Sequence, residues 1–404
     1  MDFINNLRLR ASYGKVGNAS IDPYGTVPQL GAVVYNYGDV FTRGYYQTTV
    51  GNNSLTWEYT STAELAIDFG LLNNRIAGNI NLYKAWTDKL LLPKNLPPTN
   101  GIEDAVLTNV GKTENKGIEL QVSAAVFVPK NRNDFGWNVD LNFSINRGKI
   151  TQLADGNTQD IGNGWFVGQP IGVFYNYRKT GIWQNSKSDS LEAVRLGLTT
   201  TGSSSVIGDI RVADLNGDGA ITDADREIIG TTQPDWIGGM TNRFSYGGFD
   251  LTVVAFARWG ATMNSTLHGG GFVNTFQGTY NNIKTRYWTP LNNEQEYPKA
   301  NYGRQNPANL GLLGFFDGSF LKVRTITLGY TLSQALLRRT GAKSLRFYAT
   351  VEDPFILFSP FRNHEFGGLD PESGGGSTSP TVGTNLGIDT PPARQILFGL
   401  SVSL

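Results

Sequence analysis

The chain has 404 residues, of which 39% are hydrophobic and 17% are charged, and its 34 Lys and Arg residues balance its 34 Asp and Glu residues. A net charge of zero gives no general attraction to nucleic acid, and the absence of cysteine excludes disulfide bonds and thiolate metal sites. No apolar run approaches the roughly 18 residues of a membrane-spanning helix, and residues 1–6 do not have the pattern of a signal peptide, so we expect the chain to begin inside a domain.

Alternating apolar and polar residues are the dominant pattern, and this period of two predicts β-strands along the whole chain. The clearest alternating segments are residues 7–13, 63–69, 76–82, 118–126, 137–145, 321–328 and 396–404. Between Val323 and Ile326 the apolar positions shift phase once, which predicts a β-bulge. We expect strands of about 9–11 residues, the length with which a tilted strand crosses a bilayer.

Aromatic residues lie near the ends of the predicted strands. They are Tyr13, Phe69, Tyr83, Trp86, Trp137, Tyr246, Trp259, Tyr330 and Tyr348. In a membrane barrel such residues form girdles at the two interfaces between lipid and water. Ordinary packing in a protein core is the alternative interpretation of each one taken singly.

The predicted connections alternate between short and long. Residues 71–75 and 246–249 are short turns, whereas 16–60, 155–238, 261–317 and 360–392 are long excursions rich in Gly, Asn and Pro. A compact soluble domain rarely carries several structureless loops of that length. We therefore predict an all-β fold, an antiparallel transmembrane β-barrel with its apolar face toward lipid, its polar face lining the lumen, and its long loops outside the cell.

The long excursion 155–238 contains the pattern D-x-N-x-D-G-x-I-x-x-x-D at residues 214–225. A calcium loop with this spacing takes side-chain oxygens from positions 1, 3, 5 and 12 and a backbone carbonyl from position 7. The predicted ligands are therefore Asp214, Asn216, Asp218, the carbonyl of Ala220, and Asp225. Position 12 is usually Glu, so the shorter Asp225 must close the loop more tightly. We predict structural Ca²⁺ here, and the alternative is an Asx-rich surface turn that holds no metal.

Catalytic patterns are missing from the sequence. The two histidines, His268 and His364, lie in Gly- and Asn-rich sequence without H-x-x-x-H or H-E-x-x-H spacing, and we interpret both as loop residues. Neither a G-x-S-x-G nucleophile elbow nor a G-x-x-x-x-G-K-[ST] phosphate loop occurs. Tryptophans of the predicted loops have the chemistry to stack on a sugar, but we favour a structural role for each of Trp165, Trp183, Trp236 and Trp288.

Short motifs spread over the chain resemble the SusC-like (RagA-like) TonB-dependent transporters of the Bacteroidetes outer membrane. The motifs are residues 9–18 (LRASYGKVGN), 109–111 (NVG) with 115–120 (NKGIEL), 167–175 (VGQPIGVFY), 181–184 (GIWQ), 208–210 (GDI), 228–230 (IIG), 241–246 (TNRFSY), 286–290 (RYWTP), 319–324 (SFLKVR) and 370–372 (DPE). Two positions depart from the family pattern: the last residue, Leu404, is not aromatic, and Asp353 precedes Pro354 where the family usually has Asn.

The resemblance implies a barrel of about 22 strands that is filled by an N-terminal plug. Residues 1–404 match only the C-terminal portion of such a barrel, so we expect a fragment that lacks the plug, the TonB box and the signal peptide. A partial barrel leaves two unpaired edge strands, and we expect that it does not insert into a membrane as a stable monomer.

The function implied by the resemblance is import rather than catalysis. An intact transporter of this kind sits in outer-membrane lipid and takes up oligosaccharides or peptides. A SusD-like lipoprotein closes its outer face, and the TonB–ExbB–ExbD system of the inner membrane supplies energy. The balanced charge of the chain predicts no nucleic-acid partner. The sequence does not identify substrate-binding residues. The alternatives are a calcium-dependent adhesin or glycan-binding β protein without transport, and, less favoured, a passive porin closed within this chain.

Overall fold

Ten β-strands form one sheet in the computed structural model, which describes residues 3–19, 21, 23–94, 99, 106–269, 286–300, 309–337, 341–363, 370–372, 385–386 and 393–403. The strands are β1 (Ile4–Asn18), β2 (Glu58–Leu71), β3 (Ile76–Lys94), β4 (Val106–Phe127), β5 (Gly136–Gln152), β6 (Trp236–Tyr246), β7 (Phe249–Trp259), β8 (Phe320–Thr331), β9 (Ser344–Phe358) and β10 (Gln395–Ser403).

The order of the strands in the sheet follows their order in the sequence, and every neighbouring pair is antiparallel. This up-and-down arrangement confirms the predicted all-β antiparallel fold. Within the described residues, β1 and β10 each pair with one neighbour only, so the sheet is an open wall rather than a closed cylinder.

The apolar positions predicted from alternation lie together on one face of the sheet. Residues directly opposite each other in an antiparallel pair share a face. One such row runs from Leu65 to Leu82, Ile118 and Ile145 across four strands. The face is not covered by other parts of the described chain, since Leu82 is 44% exposed and Leu9 is 69% exposed. An exposed apolar sheet face of this kind is expected where lipid is the solvent.

The opposite face is polar and carries ion pairs between neighbouring strands. Arg10 Nε donates to Asp68 Oδ2 at 2.8 Å, and Asp140 accepts from Ser123 and Arg243 on the two flanking strands. These contacts confirm the alternation of faces that the sequence predicts for a barrel wall.

Two aromatic clusters mark the two ends of the apolar face. Near one end Trp137 stacks on Phe244 with ring centroids 5.9 Å apart, and near the other Trp236 stacks on Trp259 at 6.0 Å. The prediction that Tyr83 and Tyr348 belong to the aromatic girdles was wrong, because both side chains lie on the polar face of the sheet. Each covers a glycine on the neighbouring strand, Gly117 and Gly399 respectively, where the missing side chain leaves room for the ring.

The longest strands of the sheet exceed the predicted length. The strand β4 has 22 residues and β3 has 19, so both exceed the predicted 9–11 and extend beyond the thickness of a bilayer. The predicted bulge is confirmed. Val254 faces Thr325 whereas Ala255 faces Val323, which leaves Arg324 as the extra residue in β8.

Short connections lie at one end of the sheet and long ones at the other. Residues 72–75, 128–135, 247–248 and 332–343 join the strands at the short end, and α3 (Gln334–Leu337) belongs to the last of them. Residues 19–57, 95–105, 153–235, 260–319 and 359–394 join them at the other end, which we call the outer rim. The predicted alternation of connections is therefore confirmed.

The long connections carry more regular structure than the sequence suggested. Residues 19–57 form a hairpin of strands Gln29–Tyr37 and Val40–Thr49. Residues 153–235 contain the strand pairs Gln159–Asp160 with Trp165–Phe166, Val173–Tyr177 with Arg226–Thr231, and Lys179–Ile182 with Ile210–Val212, together with helix α1 (Lys187–Arg195) and 3₁₀ turns at Ala154–Gly156 and Asp223–Asp225. The remaining elements are the strands Thr262–Ser265, Phe315–Asp317 and Asn385–Leu386, the helices α2 (Thr266–Gly269) and α4 (Pro360–Asn363), and a 3₁₀ turn at Leu310–Gly314.

The largest buried apolar cluster lies in these outer connections and not in the sheet. It joins residues 153–235 to residues 260–319 through Ile182, Ile210, Val212, Trp288, Tyr297, Leu310, Leu312 and Leu313. The connections therefore pack into an ordered cap with its own core. In the part of the chain that the structure describes, no helix has the length and apolarity needed to cross a membrane.

Candidate functional site

The predicted calcium ligands all lie in one tight loop of the outer connections. Asp214 accepts from the backbone N–H groups of Gly217 at 2.8 Å and Gly219 at 3.1 Å. Asn216 Oδ1 accepts from Asp218 N at 3.0 Å, and Asp218 Oδ1 accepts from Ala220 N at 2.9 Å. Gly219 has a φ of +84°, a conformation that side chains with a Cβ rarely adopt, which explains glycine at position 6.

Asp225 closes the loop. Its carboxylate is fully buried and accepts from Leu215 N and Thr222 N, both at 2.8 Å. The backbone hydrogen bond from Thr222, helped by those from Leu215 and Asn216, outweighs desolvation and lowers the pKa of Asp225 below its ordinary value. The carboxylate is therefore ionised at neutral pH, and its contribution to the loop is lost only as pH falls through that lowered pKa.

The oxygen donors of this loop fit a hard cation in kind. The geometry also shows a competitor, because the Arg195 guanidinium at the end of α1 lies 3.2 Å from Asp214 Oδ2 and also pairs with Glu192. Across the described residues, no three His, Cys, Asp or Glu side chains converge on one ion position. For calcium to bind, the ion pair between Asp214 and Arg195 would therefore have to break, so that the Asp214 carboxylate could contact the metal instead.

A second charged cluster lies on the polar face near the outer rim, and we call it the Lys322 cluster. The Lys322 ammonium is within 2.8 Å of Asp353, 3.0 Å of Asp370 and 2.9 Å of Glu372. Lys322 is only 3% exposed, and the neighbouring Arg324 pairs with Glu372 at 2.5 Å. One buried cation thus ties residues 370–372 to β8 and β9.

Sequence analysis did not identify the Lys322 cluster as a site. Its residues belong to the segments SFLKVR and DPE and to the unusual Asp353-Pro354 pair, which are far apart in the sequence. Asp353 has a φ of 47°, in the left-handed region that Asp tolerates better than most residues. The departure from Asn at this position supplies the third carboxylate.

Most of the tryptophans and the one described histidine that the sequence placed in loops are buried. Trp165, Trp183 and Trp288 are buried, which confirms the structural interpretation. Trp236, expected in a loop, instead begins β6. His268 was also expected in a loop but lies fully buried in α2, with its Nδ1 2.7 Å from Ser265 Oγ. His364 lies outside the described residues.

An open antiparallel sheet with one exposed apolar face, aromatic clusters at both ends and long connections at one rim is the wall of a membrane β-barrel. The family model described as TonB dependent receptor-like, beta-barrel, matches residues 2–352, and the chain belongs to this family.

Among similar proteins, the TonB-dependent receptor P3 of Formosa agariphila is 30% identical over 99% of this chain and 39% of its own length. The TonB-dependent receptor SusC of Bacteroides thetaiotaomicron is 28% identical over 100% of this chain and 38% of its own length. The solved structure of the RagAB peptide transporter has the same fold, with a TM-score of 0.75 and 22% identity over 100% of this chain and 41% of that one. The chain therefore spans about two fifths of the length of these proteins.

Membership of this family places the chain in the outer membrane and makes it part of a receptor rather than an enzyme.

Proposed function

We propose that the chain is part of a TonB-dependent importer that carries oligosaccharides or peptides across the outer membrane. The observation that carries this proposal is the ten-stranded barrel wall together with the family match over residues 2–352. In such an importer the polar face borders the transport path, and the outer connections meet the ligand first. The TonB–ExbB–ExbD system would supply energy through the part of the protein beyond this chain.

The calcium-dependent adhesin is the less favoured function. An adhesin of two soluble sheets would bury its apolar faces against each other, whereas Leu9 and Leu82 lie on a face that the described chain leaves exposed. This face supports a protein surrounded by lipid.

The hairpin of residues 29–49 supports a protein partner at the outer rim. A hairpin of two strands is only marginally stable in water unless something packs against it. This hairpin exposes apolar side chains on both of its faces, so either face could pack against a partner. Tyr35 and Tyr37 lie on one face, while Val34 and Phe41 lie on the other, and Phe41 is 73% exposed. Large exposed apolar patches mark interaction sites. We propose that a SusD-like lipoprotein covers the hairpin.

Uptake of labelled oligosaccharides and peptides by cells tests importer and partner together. We expect uptake to be lost when TonB is inactivated. We also expect it to be lost when Tyr37 and Phe41 are both changed to serine, because buried aromatic anchors contribute about 2 kcal/mol or more each to an interface. The lipoprotein should then no longer copurify with the barrel.

Tyr24→Ser is the matched control, because Tyr24 is exposed at the same rim but lies outside the hairpin. Uptake that continues without TonB would contradict the importer. Copurification that survives the double substitution would contradict only the proposed role of the hairpin.

We further propose that the loop of residues 214–225 binds Ca²⁺ as a structural ion. This proposal is supported by the oxygen donors of Asp214, Asn216, Asp218 and Asp225, which lie together in one tight loop. The ion would stiffen the outer connections in which the loop lies.

Calcium is expected to slow hydrogen exchange of the loop amides by about tenfold or more, since a bound ligand stabilises the closed form. The exchange of Leu215, Gly219 and Thr222 is measured by mass spectrometry with calcium and with a chelator. In Asp225→Asn the calcium effect should disappear, while Asp223→Asn serves as control because Asp223 is not at a ligand position. Equal exchange in calcium and chelator would show a turn held by its own hydrogen bonds.

A further inference from the structure

A cavity of about 480 Å³ lies among the outer connections, and none of its lining residues is a predicted calcium ligand or a member of the Lys322 cluster. Its walls come from three connections: residues 177–179 and 229 from the first, 296–297 and 312–317 from the second, and 360–361 from the third. The volume is in the range of small-ligand sites. Because three connections meet here, a ligand in the cavity would touch all three of them.

The floor of the cavity is apolar and firmly packed. Leu312 and Leu313 are buried members of the largest apolar cluster, and Ile229 and Phe315 pack against it. Phe315 is also held by Phe174, with ring centroids 5.0 Å apart. A floor made of core side chains keeps its shape without a ligand, and it offers contact area to an apolar group rather than hydrogen bonds to hydroxyls.

Two cations line the cavity, Arg178 and Lys179, and among the described residues a salt bridge is found for Arg178 and not for Lys179. The Lys179 ammonium is half-buried and donates to the backbone oxygen of Glu296 at 2.6 Å. The adjacent Arg178 is different, because its guanidinium is bound by both carboxylate oxygens of Glu227.

The surroundings of Lys179 favour a further anionic partner. Desolvation by burial lowers the pKa of Lys179, and the charges of Glu296 and Glu294 oppose this only in part. An ammonium has three donors, and a single carbonyl uses one of them. A ligand carboxylate would supply a charge-assisted hydrogen bond that the protein itself does not provide.

We propose that this cavity binds the C-terminal end of a short peptide, with the terminal carboxylate on the Lys179 ammonium and the last, apolar side chain on the floor of Leu312, Leu313 and Phe315. This inference rests on the proposed importer and selects peptides over neutral oligosaccharides as its ligands. A neutral sugar has no charge for Lys179 and would leave hydroxyl groups against the apolar floor, where they would lack hydrogen-bond partners.

The test compares two probes that differ only in charge, N-acetyl-Ala-Ala-Leu with a free carboxylate and the same peptide as its C-terminal amide. Binding to the purified full-length protein is measured by calorimetry. We expect the acid to bind about tenfold more tightly than the amide, the usual difference for a hydrogen bond to a charged group. In Lys179→Met, which keeps the length of the side chain, the two probes should bind equally.

Lys187→Met is the matched control, because Lys187 is an exposed lysine of α1 and should keep the tenfold preference. A third probe ending in Gly instead of Leu should bind more weakly in every variant, since it leaves the floor uncovered. A preference for the acid that survives Lys179→Met, or equal binding of acid and amide to the unaltered protein, would overturn the proposal. Neither result touches the importer itself, whose failure would appear as uptake that persists without TonB.

Discussion

Replacing Lys322 by methionine should release residues 370–372 from the barrel wall, with a loss of about 3–5 kcal/mol, the cost of removing one partner from a buried ion pair. Three carboxylates, Asp353, Asp370 and Glu372, lie within 3.0 Å of this one ammonium. Without it these three carboxylates would repel one another at short range. We expect protease added outside intact cells to cut near residues 370–372, while the rest of the barrel stays folded.

The control for this experiment restores neutrality at the same place. In Lys322→Met combined with Asp370→Asn and Glu372→Gln, most of the repulsion is gone, and a large part of the protection should return if charge is the cause. If Lys322→Met alone leaves the protease pattern unchanged, the Lys322 cluster does not hold this connection, and other contacts of the segment must be sufficient.

Arginine in place of Ile80 should reduce the folded, membrane-inserted protein strongly. Ile80 lies in β3 opposite Ile67 and Leu120, near the middle of the exposed apolar face. Arginine facing lipid near the bilayer midplane costs about 2–4 kcal/mol. The yield is measured from outer membranes as the fraction that resists extraction and migrates as a folded barrel on an unheated gel.

Asn81→Arg is the companion substitution, one residue further along the same strand. Asn81 lies on the polar face opposite Glu119, so arginine there meets water and a carboxylate. We expect nearly normal yield. Equal loss in both variants would mean that the substitutions harm the strand itself, and equal tolerance would contradict lipid contact at Ile80.

The strands of the sheet could be predicted from the sequence, because the face on which a side chain lies depends only on its position along its own strand. Strand positions, the bulge at Arg324 and the short turns at one end all follow from that local pattern. The predictions of side-chain direction failed where a residue on the neighbouring strand determines the direction. Tyr83 and Tyr348 turn to the polar face to cover Gly117 and Gly399, and neither glycine is near its tyrosine in the sequence.

The hairpin in residues 19–57 was missed although its signals are local. Val33, Val34, Tyr35 and Tyr37 are residue types that favour strands, and Gly38-Asp39 is a dipeptide typical of a two-residue turn. The many glycines and asparagines around it favoured a loop interpretation.

The two charged sites differ in how far sequence reasoning could reach them. The loop of residues 214–225 is contained in one stretch, so its spacing alone brings Asp214 and Asp225 together. The Lys322 cluster unites residues up to 50 positions apart, from 322 to 372, and the cavity beside Lys179 unites three connections. Long-range pairing of this kind depends on the register of strands that only the folded sheet defines.

The sequential order of the strands has a consequence for how such proteins can diversify. Within the described residues, each strand of the ten-stranded sheet pairs only with its predecessor and successor in that sheet. A stretch of gene that encodes two of these strands and the outer connection between them therefore changes few sheet partners when it is exchanged. The apolar face would tolerate the exchange, because lipid requires only hydrophobicity and no shape complementarity. New ligand specificities could thus be acquired by recombination of hairpins, and the contacts that would resist it are those between connections, such as the Lys322 cluster and the shared core beneath the cavity.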